Sequence, residues 1–196
     1  MSPKPSGPGV RVTGGELRGR VLQVPPGARP TEGRVREALF SIWGERIESA
    51  RFLDLFAGSG VVSLEAAGRG ARAVLAVDGE ARAVRTLAEN VAATGARGIE
   101  VRRLPLPAGL ARLAAERAGP FDLAFADPPY AFGDYAALLA AVAPLLAPGT
   151  AGEASTAEIA VEHSSRTVLP ETAGPLARVD LRRYGESSLS FYRQPG

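Results

Sequence analysis

Short apolar runs alternate with helix-forming segments along most of the chain, and this alternation restricts the fold more than any other feature. Apolar strands separated by helices are typical of a mostly parallel sheet with helices on both faces. We therefore predict an α/β protein. The predicted strands are 51–56, 73–77, 99–103, 121–126 and 158–162, and the helices between them are 61–69, 80–94, 108–118 and 134–146. Two further runs, 177–184 and 188–193, flank Gly185-Glu186-Ser187 and predict a C-terminal antiparallel hairpin.

The N-terminal part of the chain differs from this pattern. Residues 1–9 are rich in proline, glycine and serine, which predicts a disordered tail without a secretory leader. Short β-like runs over 10–24 predict a small hairpin, which Pro25-Pro26-Gly27 ends. Thr31 is a candidate N-cap for a helix that runs to about Ile47. We therefore predict a tail over 1–9, a basic hairpin and helix over 10–47, and the α/β domain over 48–196.

Cysteine and histidine usage excludes several kinds of chemistry. The 196 residues include no cysteine and one histidine, His163. No thiolate of this chain can therefore act as a nucleophile, and a zinc site is not expected. No apolar run is long enough to span a bilayer. We expect a cytoplasmic protein with no membrane partner and no metal.

Positive charge is concentrated near the N-terminus although the net charge is only +2. Between Val10 and Arg36 the chain has six arginines and two glutamates. A basic segment on a nearly neutral body is a hint of a polyanionic partner such as nucleic acid. The alternative is an ordinary solvated surface, because Lys4 is the only lysine and arginine supplies nearly all of the positive charge.

A glycine-containing turn follows the first strand of the predicted sheet. Glycines in Asp54-Leu55-Phe56-Ala57-Gly58-Ser59-Gly60 allow a tight turn and a close approach of a ligand to the backbone. The next helix offers free N–H groups to an anionic group. Asp78 follows the second strand at a spacing that suits a carboxylate accepting both ribose hydroxyls. These residues predict an adenosine-type site formed by Asp54, Phe56, Ala57, Gly58, Ser59, Gly60 and Asp78, which fits either NAD or S-adenosylmethionine.

A second motif, Asp127-Pro128-Pro129-Tyr130, directly follows the fourth strand. A carboxylate and a neighbouring carbonyl can accept the two N–H bonds of an exocyclic base amine and favour a localised lone pair on its nitrogen. The prolines stiffen the loop and remove competing N–H donors. Tyr130 offers a ring on which an extruded base can stack. The two motifs together predict transfer of a methyl group from S-adenosylmethionine to a base amine, with Asp127, Pro128, Pro129 and Tyr130 as the catalytic residues.

With these motifs, the chain resembles the bacterial RsmD family, 16S ribosomal RNA guanine-N2 methyltransferases with a class I, Rossmann-like fold. The resemblance extends from Arg11 over most of the chain. It includes 11–15, 18–20, 29–31 and 34–40, the motif at 54–60, Leu64-Glu65-Ala66, Asn90, and the motif at 127–130.

The resemblance implies a substrate in the small ribosomal subunit or its assembly intermediate, with guanine 966 of 16S rRNA as the methylated base. It also implies RNA contacts by Arg11, Arg18, Arg20, Arg34 and Arg36. Three positions depart from the family pattern. Gly33 replaces an acid at the start of the helix, Asp78 replaces a more common Glu, and Pro105 stands near the usual Asp or Asn that contacts adenine, so backbone groups would have to replace that contact.

Other functions share parts of this pattern. DNA adenine-N6 methyltransferases use the same tetrapeptide but usually carry a target-recognition domain, and protein-glutamine methyltransferases typically have Asn at position 127. A dinucleotide-dependent oxidoreductase would share the glycine turn but has no use for the Asp127 motif. An RNA-binding assembly factor on the same fold is the alternative outside enzymes. We interpret His163 as structural or exposed, Trp43 as a core residue, and Tyr184 and Tyr192 as packing residues.

Overall fold

A computed structural model describes residues 9–25, 33–149 and 155–195. The strands within these ranges are β1 (Gly9–Arg11), β2 (Val21–Gln23), β3 (Arg51–Leu55), β4 (Ala73–Asp78), β5 (Ile99–Arg103), β6 (Leu123–Ala126), β7 (Glu158–Ser164), β8 (Thr172–Ala173), β9 (Leu176–Tyr184) and β10 (Ser187–Arg193). The α-helices are α1 (Gly33–Trp43), α2 (Val61–Gly68), α3 (Ala81–Thr94), α4 (Leu110–Ala115) and α5 (Tyr135–Val142). Thr31, Arg29 and the Pro26-Gly27 break lie outside the described residues, as does the predicted tail up to residue 8.

Eight strands form one sheet in the order β5-β4-β3-β6-β7-β10-β9-β8. The five strands from β3 to β7 are parallel, and β10 runs antiparallel to both β7 and β9. The predicted α/β architecture with a parallel core and a C-terminal antiparallel hairpin is therefore confirmed. Strand β8 was not predicted, because two residues are too few to produce a recognisable alternation.

Two apolar clusters cover the two faces of the sheet. One contains Leu53, Ala126 and Leu139 and packs α4 and α5 on the sheet. The other contains Phe52, Trp43 and Leu64 and packs α1, α2 and the N-terminal hairpin on the opposite face. The prediction that Trp43 is a core residue is confirmed, since its side chain is 1% exposed and its indole N–H donates to Glu158.

Helices α1, α4 and α5 end at least three residues earlier than predicted, and the ends of α1 and α5 have local causes. α1 ends at Trp43, and Gly44, with φ of 52°, begins a 3₁₀ turn to Ile47. α5 ends at Val142, and a 3₁₀ turn containing Pro144 follows it. Proline has no N–H to donate and its ring crowds the preceding turn, so α-helical hydrogen bonding stops there.

Strands β1 and β2 form the predicted N-terminal hairpin, which begins at Gly9, one residue inside the predicted tail, because Gly9 pairs with Gln23. The segment between the strands docks on the end of α2, where the Glu16 N–H donates to the Gly68 carbonyl at 2.7 Å. Gly15 has φ of 70°, and a Cβ there would lie 2.3 Å from that carbonyl oxygen. Glycine is therefore required at this approach.

Glu65 of α2 joins the hairpin to the two helices beneath it. Its carboxylate is fully buried and accepts from the Thr13 N–H and hydroxyl, from Arg36 at 2.9 Å and from Arg69 at 2.8 Å. Arg36 also donates to the Arg11 carbonyl. Burial alone would raise the pKa of Glu65, but hydrogen bonds from Arg69 and Thr13 and the charge of Arg36 outweigh it and lower that pKa. One buried carboxylate thus links the hairpin to both α1 and α2.

Within the described ranges, none of the helices has the length and apolar character that crossing a bilayer would need.

Candidate active site

The sheet order reverses between β3 and β6, because the chain builds outward from β3 to β5 and then returns to the other side of β3. Ligands of open α/β sheets bind beyond the carboxyl ends of the strands at such a point. A cleft of about 1070 Å³ opens there. Its walls include the turn after β3, Asp78 after β4 and the tetrapeptide after β6, so the two predicted motifs share one cleft.

The turn after β3 exposes its backbone to this cleft. Gly58 has φ of 55°, and a Cβ added there would meet only the Phe56 carbonyl oxygen, at 3.9 Å. Phe56 itself has φ of 58°, a conformation that side chains other than glycine seldom adopt. The Ala57 N–H donates to the Val77 carbonyl of β4 at 3.1 Å, which holds the turn against the neighbouring strand. A ligand can therefore approach the peptide groups closely.

Asp78 is oriented by two backbone donors. Its Oδ2 accepts from the Gly58 N–H at 2.9 Å and its Oδ1 from the Glu80 N–H at 2.8 Å. A carboxylate has about four acceptor positions, so each oxygen keeps capacity for a further donor. The arrangement suits two neighbouring hydroxyl groups of a ligand.

Asp54 lies below the turn and is almost completely buried. It accepts a hydrogen bond from the Ser63 hydroxyl of α2. Burial raises its pKa to about 7, against the lowering effect of Ser63, and the nearby charges of Asp127 and Asp78 add to the rise. Asp54 therefore keeps its proton to a much higher pH than an exposed aspartate does.

Gly60 has a packing role that the sequence did not predict, and its ligand contact stays a prediction. It is not among the residues that line the cleft. With φ of 77°, it begins α2, and a Cβ there would lie 2.7 Å from Leu87 Cγ of α3. Packing of α2 against α3 therefore requires glycine at this position.

The tetrapeptide after β6 is held at the end of the sheet. The Asp127 N–H donates to the Leu55 carbonyl of β3 at 3.3 Å, and the Phe132 N–H donates to the Pro129 carbonyl at 2.7 Å. Pro128 is buried, whereas the Tyr130 side chain is 63% exposed although it lines the cleft. Tyr130 thus presents a large ring at the cleft with most of its surface uncovered.

Tyr135 is a cleft residue that the sequence analysis missed. It is the first residue of α5, and its ring packs edge-on against Phe132 at 5.1 Å and His163 at 6.3 Å between centroids. Burial, with a smaller effect from the charge of Asp127, raises the pKa of the Tyr135 hydroxyl. A tyrosine at a helix N-terminus carries no distinctive sequence signal, and only the fold brings it near Asp127.

His163 is buried, and both ring nitrogens are engaged, with the Ser164 carbonyl and the Ser190 hydroxyl each at 2.9 Å. Burial lowers its pKa, so the imidazole is neutral at physiological pH. It also lines the cleft, as do Glu162, Ser164 and Ser187 at the ends of β7 and β10. The interpretation of His163 as structural agrees with its two partners. The sequence analysis did not identify the other three residues.

Asn90, part of the family pattern, lies inside the protein. Its side-chain amide donates to the carbonyls of Gln23 and Ser59 and accepts from the Gln23 N–H. It therefore ties β2 of the hairpin to the turn after β3. Val24 and Pro25, which follow β2, form part of the cleft wall.

Pro105 stands near the position where the family usually has the Asp or Asn that contacts adenine. It lines the cleft together with Leu106 and Gly79. The structure offers backbone groups and apolar surface at this end of the cleft. Arg82 and Arg103 also border it.

The predicted RNA-contacting arginines separate into two groups. Arg11, Arg18, Arg20 and Arg34 are exposed on the hairpin and the first turn of α1. Arg36 is 1% exposed and is engaged by Glu65 and the Arg11 carbonyl. The assignment of Arg36 to RNA contact is therefore corrected: its guanidinium is directed into the protein because α1 packs that face on α2.

In the described part of the chain, no group of three or more histidine, aspartate or glutamate side chains is placed to hold a metal ion.

Comparisons with known proteins agree with this geometry. The family described as conserved hypothetical protein 95 matches residues 10–193. The chain is 32% identical to YlbH of Bacillus subtilis (strain 168), over 95% of this chain and all of that protein. It is 37% identical to the ribosomal RNA small subunit methyltransferase D of Escherichia coli (strain K12), over 67% of this chain and 66% of that protein. A solved structure from Thermus thermophilus, described as a hypothetical protein, is 37% identical and superposes with a TM-score of 0.76 over 93% of this chain and 98% of that one.

Proposed function

The chain belongs to the RsmD family of methyltransferases, and from this membership we propose that it methylates the exocyclic N2 of a guanine in 16S ribosomal RNA, with S-adenosylmethionine as donor. One observation carries the proposal. The turn after β3 and the Asp127 tetrapeptide, separate in the sequence, line the same cleft. Methyl transfer needs the donor and the accepting nitrogen in contact and in line.

The residues of the cleft fit the donor. Asp78 has acceptor capacity for both ribose hydroxyls, and the open face at Gly58 leaves room for a ligand against the backbone. α2 begins beside the turn, so its first N–H groups favour the carboxylate of the amino acid part. Leu106 and Pro105 offer apolar surface for adenine. When bound, S-adenosylmethionine supplies an activated methyl group, so the chain's task is positioning.

Asp127 and Pro128 would hold the amine of the target base. The Asp127 carboxylate and the Pro128 carbonyl accept its two N–H bonds, which directs the nitrogen lone pair to the methyl carbon. Tyr130 stacks on the extruded base and offsets part of the energy needed to unstack it. As the N–C bond forms, the C–S bond breaks, and the spare proton leaves the amine to Asp127 or to water.

The exposed arginines of the hairpin and α1 would bind the RNA backbone. Arg11, Arg18, Arg20 and Arg34 lie on one N-terminal unit whose β2 strand leads into the cleft wall at Val24 and Pro25. Phosphate contacts fix the position of a nucleic acid on a protein and make binding salt-dependent. A polyanion bound to this unit would therefore extend toward the cleft.

Methylation of small ribosomal particles tests the proposal. Purified particles from cells lacking the enzyme are incubated with the protein and isotopically labelled S-adenosylmethionine, and the nucleosides are then analysed by mass spectrometry. We expect labelled N2-methylguanosine in the 16S RNA. Label found only in N6-methyladenosine would move the protein to the adenine class, and no incorporation together with no measurable affinity for the cofactor would favour a non-catalytic RNA-binding factor.

A further inference from the structure

Glu162 is a carboxylate of the cleft to which the proposed methyl transfer assigns no role. It lies near the carboxyl end of β7, is 7% exposed and lines the same cleft as Asp127 and Tyr130. Charged residues are seldom buried without a reason. A buried acid at the rim of a substrate site is therefore a candidate for substrate recognition.

The register of the sheet brings Glu162 beside Asp127. Strands β6 and β7 are parallel, with Ala126 level with Val161. Asp127 directly follows the end of β6 at Ala126, and Glu162 follows Val161 within β7. Neighbouring strands are separated by about 4.8 Å, and residues at the same level of parallel strands point to the same face. Asp127 and Glu162 thus leave neighbouring strands at about the same level, and both line the cleft.

Two neighbouring hydrogen-bond acceptors on the protein are complementary to two neighbouring N–H donors on a base, and among the RNA bases that carry an amine only guanine has them. In adenine and cytosine, the ring nitrogen next to the exocyclic amine is an acceptor with a lone pair. In guanine, the N2 amine lies between two ring nitrogens: N3, which has a lone pair, and N1, which carries a hydrogen, so only guanine offers an N–H donor next to its amine. An ionised carboxylate can only accept hydrogen bonds, so it attracts the N1–H of guanine and repels the lone pair of the other two bases.

We infer that Glu162 accepts the N1–H of the target guanine while Asp127 accepts from its N2 amine, and that Glu162 thereby restricts the cleft to guanine. The inference rests on the proposed function, since it concerns the base held by the same tetrapeptide. A site built to hydrogen-bond a group of its substrate strongly rejects an analogue that lacks that group.

A single-atom change in the substrate tests this role. 2-Aminopurine keeps the amine of guanine but lacks both O6 and the hydrogen on N1, so it can still be methylated but has no N1–H to donate to Glu162. The Glu162 variants below separate the effect of the N1–H from that of O6. Small-subunit particles are reconstituted with ligated 16S RNA carrying guanine or 2-aminopurine at the target, and kcat/KM is measured for each. We expect the wild-type protein to prefer guanine by on the order of 10- to 100-fold.

Glu162→Gln and Glu162→Ala should reduce this preference toward unity, mainly through loss of activity on guanine. The glutamine variant keeps the shape of the side chain and can donate to the bare N1 of 2-aminopurine. Glu171→Gln, an exposed acid away from the cleft, is the matched control and should keep the wild-type preference. Affinity for S-adenosylhomocysteine, measured by calorimetry, should be unchanged in all three variants and reports that the cleft is intact.

The outcomes separate the two proposals. No N2-methylguanosine from the wild-type protein on guanine particles would overturn the proposed function itself. Methylation of guanine with equal activity on 2-aminopurine would leave that function standing and overturn the role of Glu162. The role of Glu162 would also be overturned if both Glu162 variants bind S-adenosylhomocysteine normally and keep the wild-type preference for guanine over 2-aminopurine. If the alanine variant does not fold, the glutamine variant and the wild-type ratio of activity on guanine to activity on 2-aminopurine still test the role of Glu162.

Discussion

Replacing Glu65 with glutamine should destabilise the protein far more than the size of the change suggests. The substitution keeps the shape of the side chain but removes the charge that faces Arg36, whose side chain is 1% exposed. It also weakens the hydrogen bonds from Thr13 and Arg69. Removing one partner of a buried ion pair leaves an uncompensated charge and typically costs about 3–5 kcal/mol. For a chain of this length, we expect the melting temperature to fall by roughly 6–20 °C.

Thermal unfolding followed by circular dichroism checks this value. Glu100→Gln is the control: Glu100 pairs with Arg102 but is 61% exposed, and such a pair contributes less than about 1 kcal/mol. The destabilisation should also depend on pH. The folded state lowers the pKa of Glu65 below its ordinary value of 4.5. The ionised carboxylate therefore stabilises the folded protein fully above about pH 4.5, and this stabilisation is lost as the pH falls through the lower pKa of the folded state. The difference between the variant and the wild type should therefore shrink in acid.

A Glu65→Gln protein that melts within about 2 °C of the wild type at neutral pH would refute the reasoning, since 1 kcal/mol alone shifts the midpoint of a chain of this size by about 2–4 °C. It would mean that Arg36 finds other compensation and that the hairpin is held by apolar packing of residues such as Val12 and Leu22.

Three further predictions concern the cleft. Asp127→Ala should abolish methyl transfer while leaving S-adenosylhomocysteine affinity within a few fold in calorimetry; turnover near the wild-type level would remove Asp127 from the mechanism. Tyr130→Ala should lower kcat/KM on ribosomal particles by about 5- to 150-fold, corresponding to roughly 1–3 kcal/mol of stacking, whereas Tyr130→Phe should keep most activity; equal losses in both variants would contradict a stacking role. Asp54 should make the ligand-free protein less stable as the pH rises, because its folded pKa of about 7 exceeds its ordinary value of 3.8. The contribution of Asp54 to the free energy of unfolding is complete below about pH 4 and is lost as the pH rises to about 7. At 1.36 kcal/mol for each pKa unit, this loss amounts to about 4 kcal/mol. If the stability curves of Asp54→Asn and the wild type run parallel over this range, the assignment is wrong.

Sequence reasoning placed the α/β elements well because their signals are local. Strand β5 and the start of α2 lie where the apolar runs and the glycine turn predicted them. Gly95, with φ of 69°, ends α3 at the predicted residue, since glycine takes the left-handed conformation without steric cost. The predicted ends of α1 and α5 were wrong, because 3₁₀ turns containing Gly44 and Pro144 follow these helices. Such turns depend on how the chain packs after the helix.

The sequence by itself determined the class of fold, the two motifs and the chemistry that they favour, because each depends on neighbours along the chain. Only the tertiary structure decided which residues share a surface. Arg36 and Arg34 stand two positions apart on α1, yet one is buried against Glu65 and the other is exposed. Glu162 and Asp127 line one cleft because β6 and β7 pair with Ala126 level with Val161, and Tyr135 reaches the cleft because α5 packs across the sheet. Burial and proximity between distant segments depend on packing, which no local pattern of residues records.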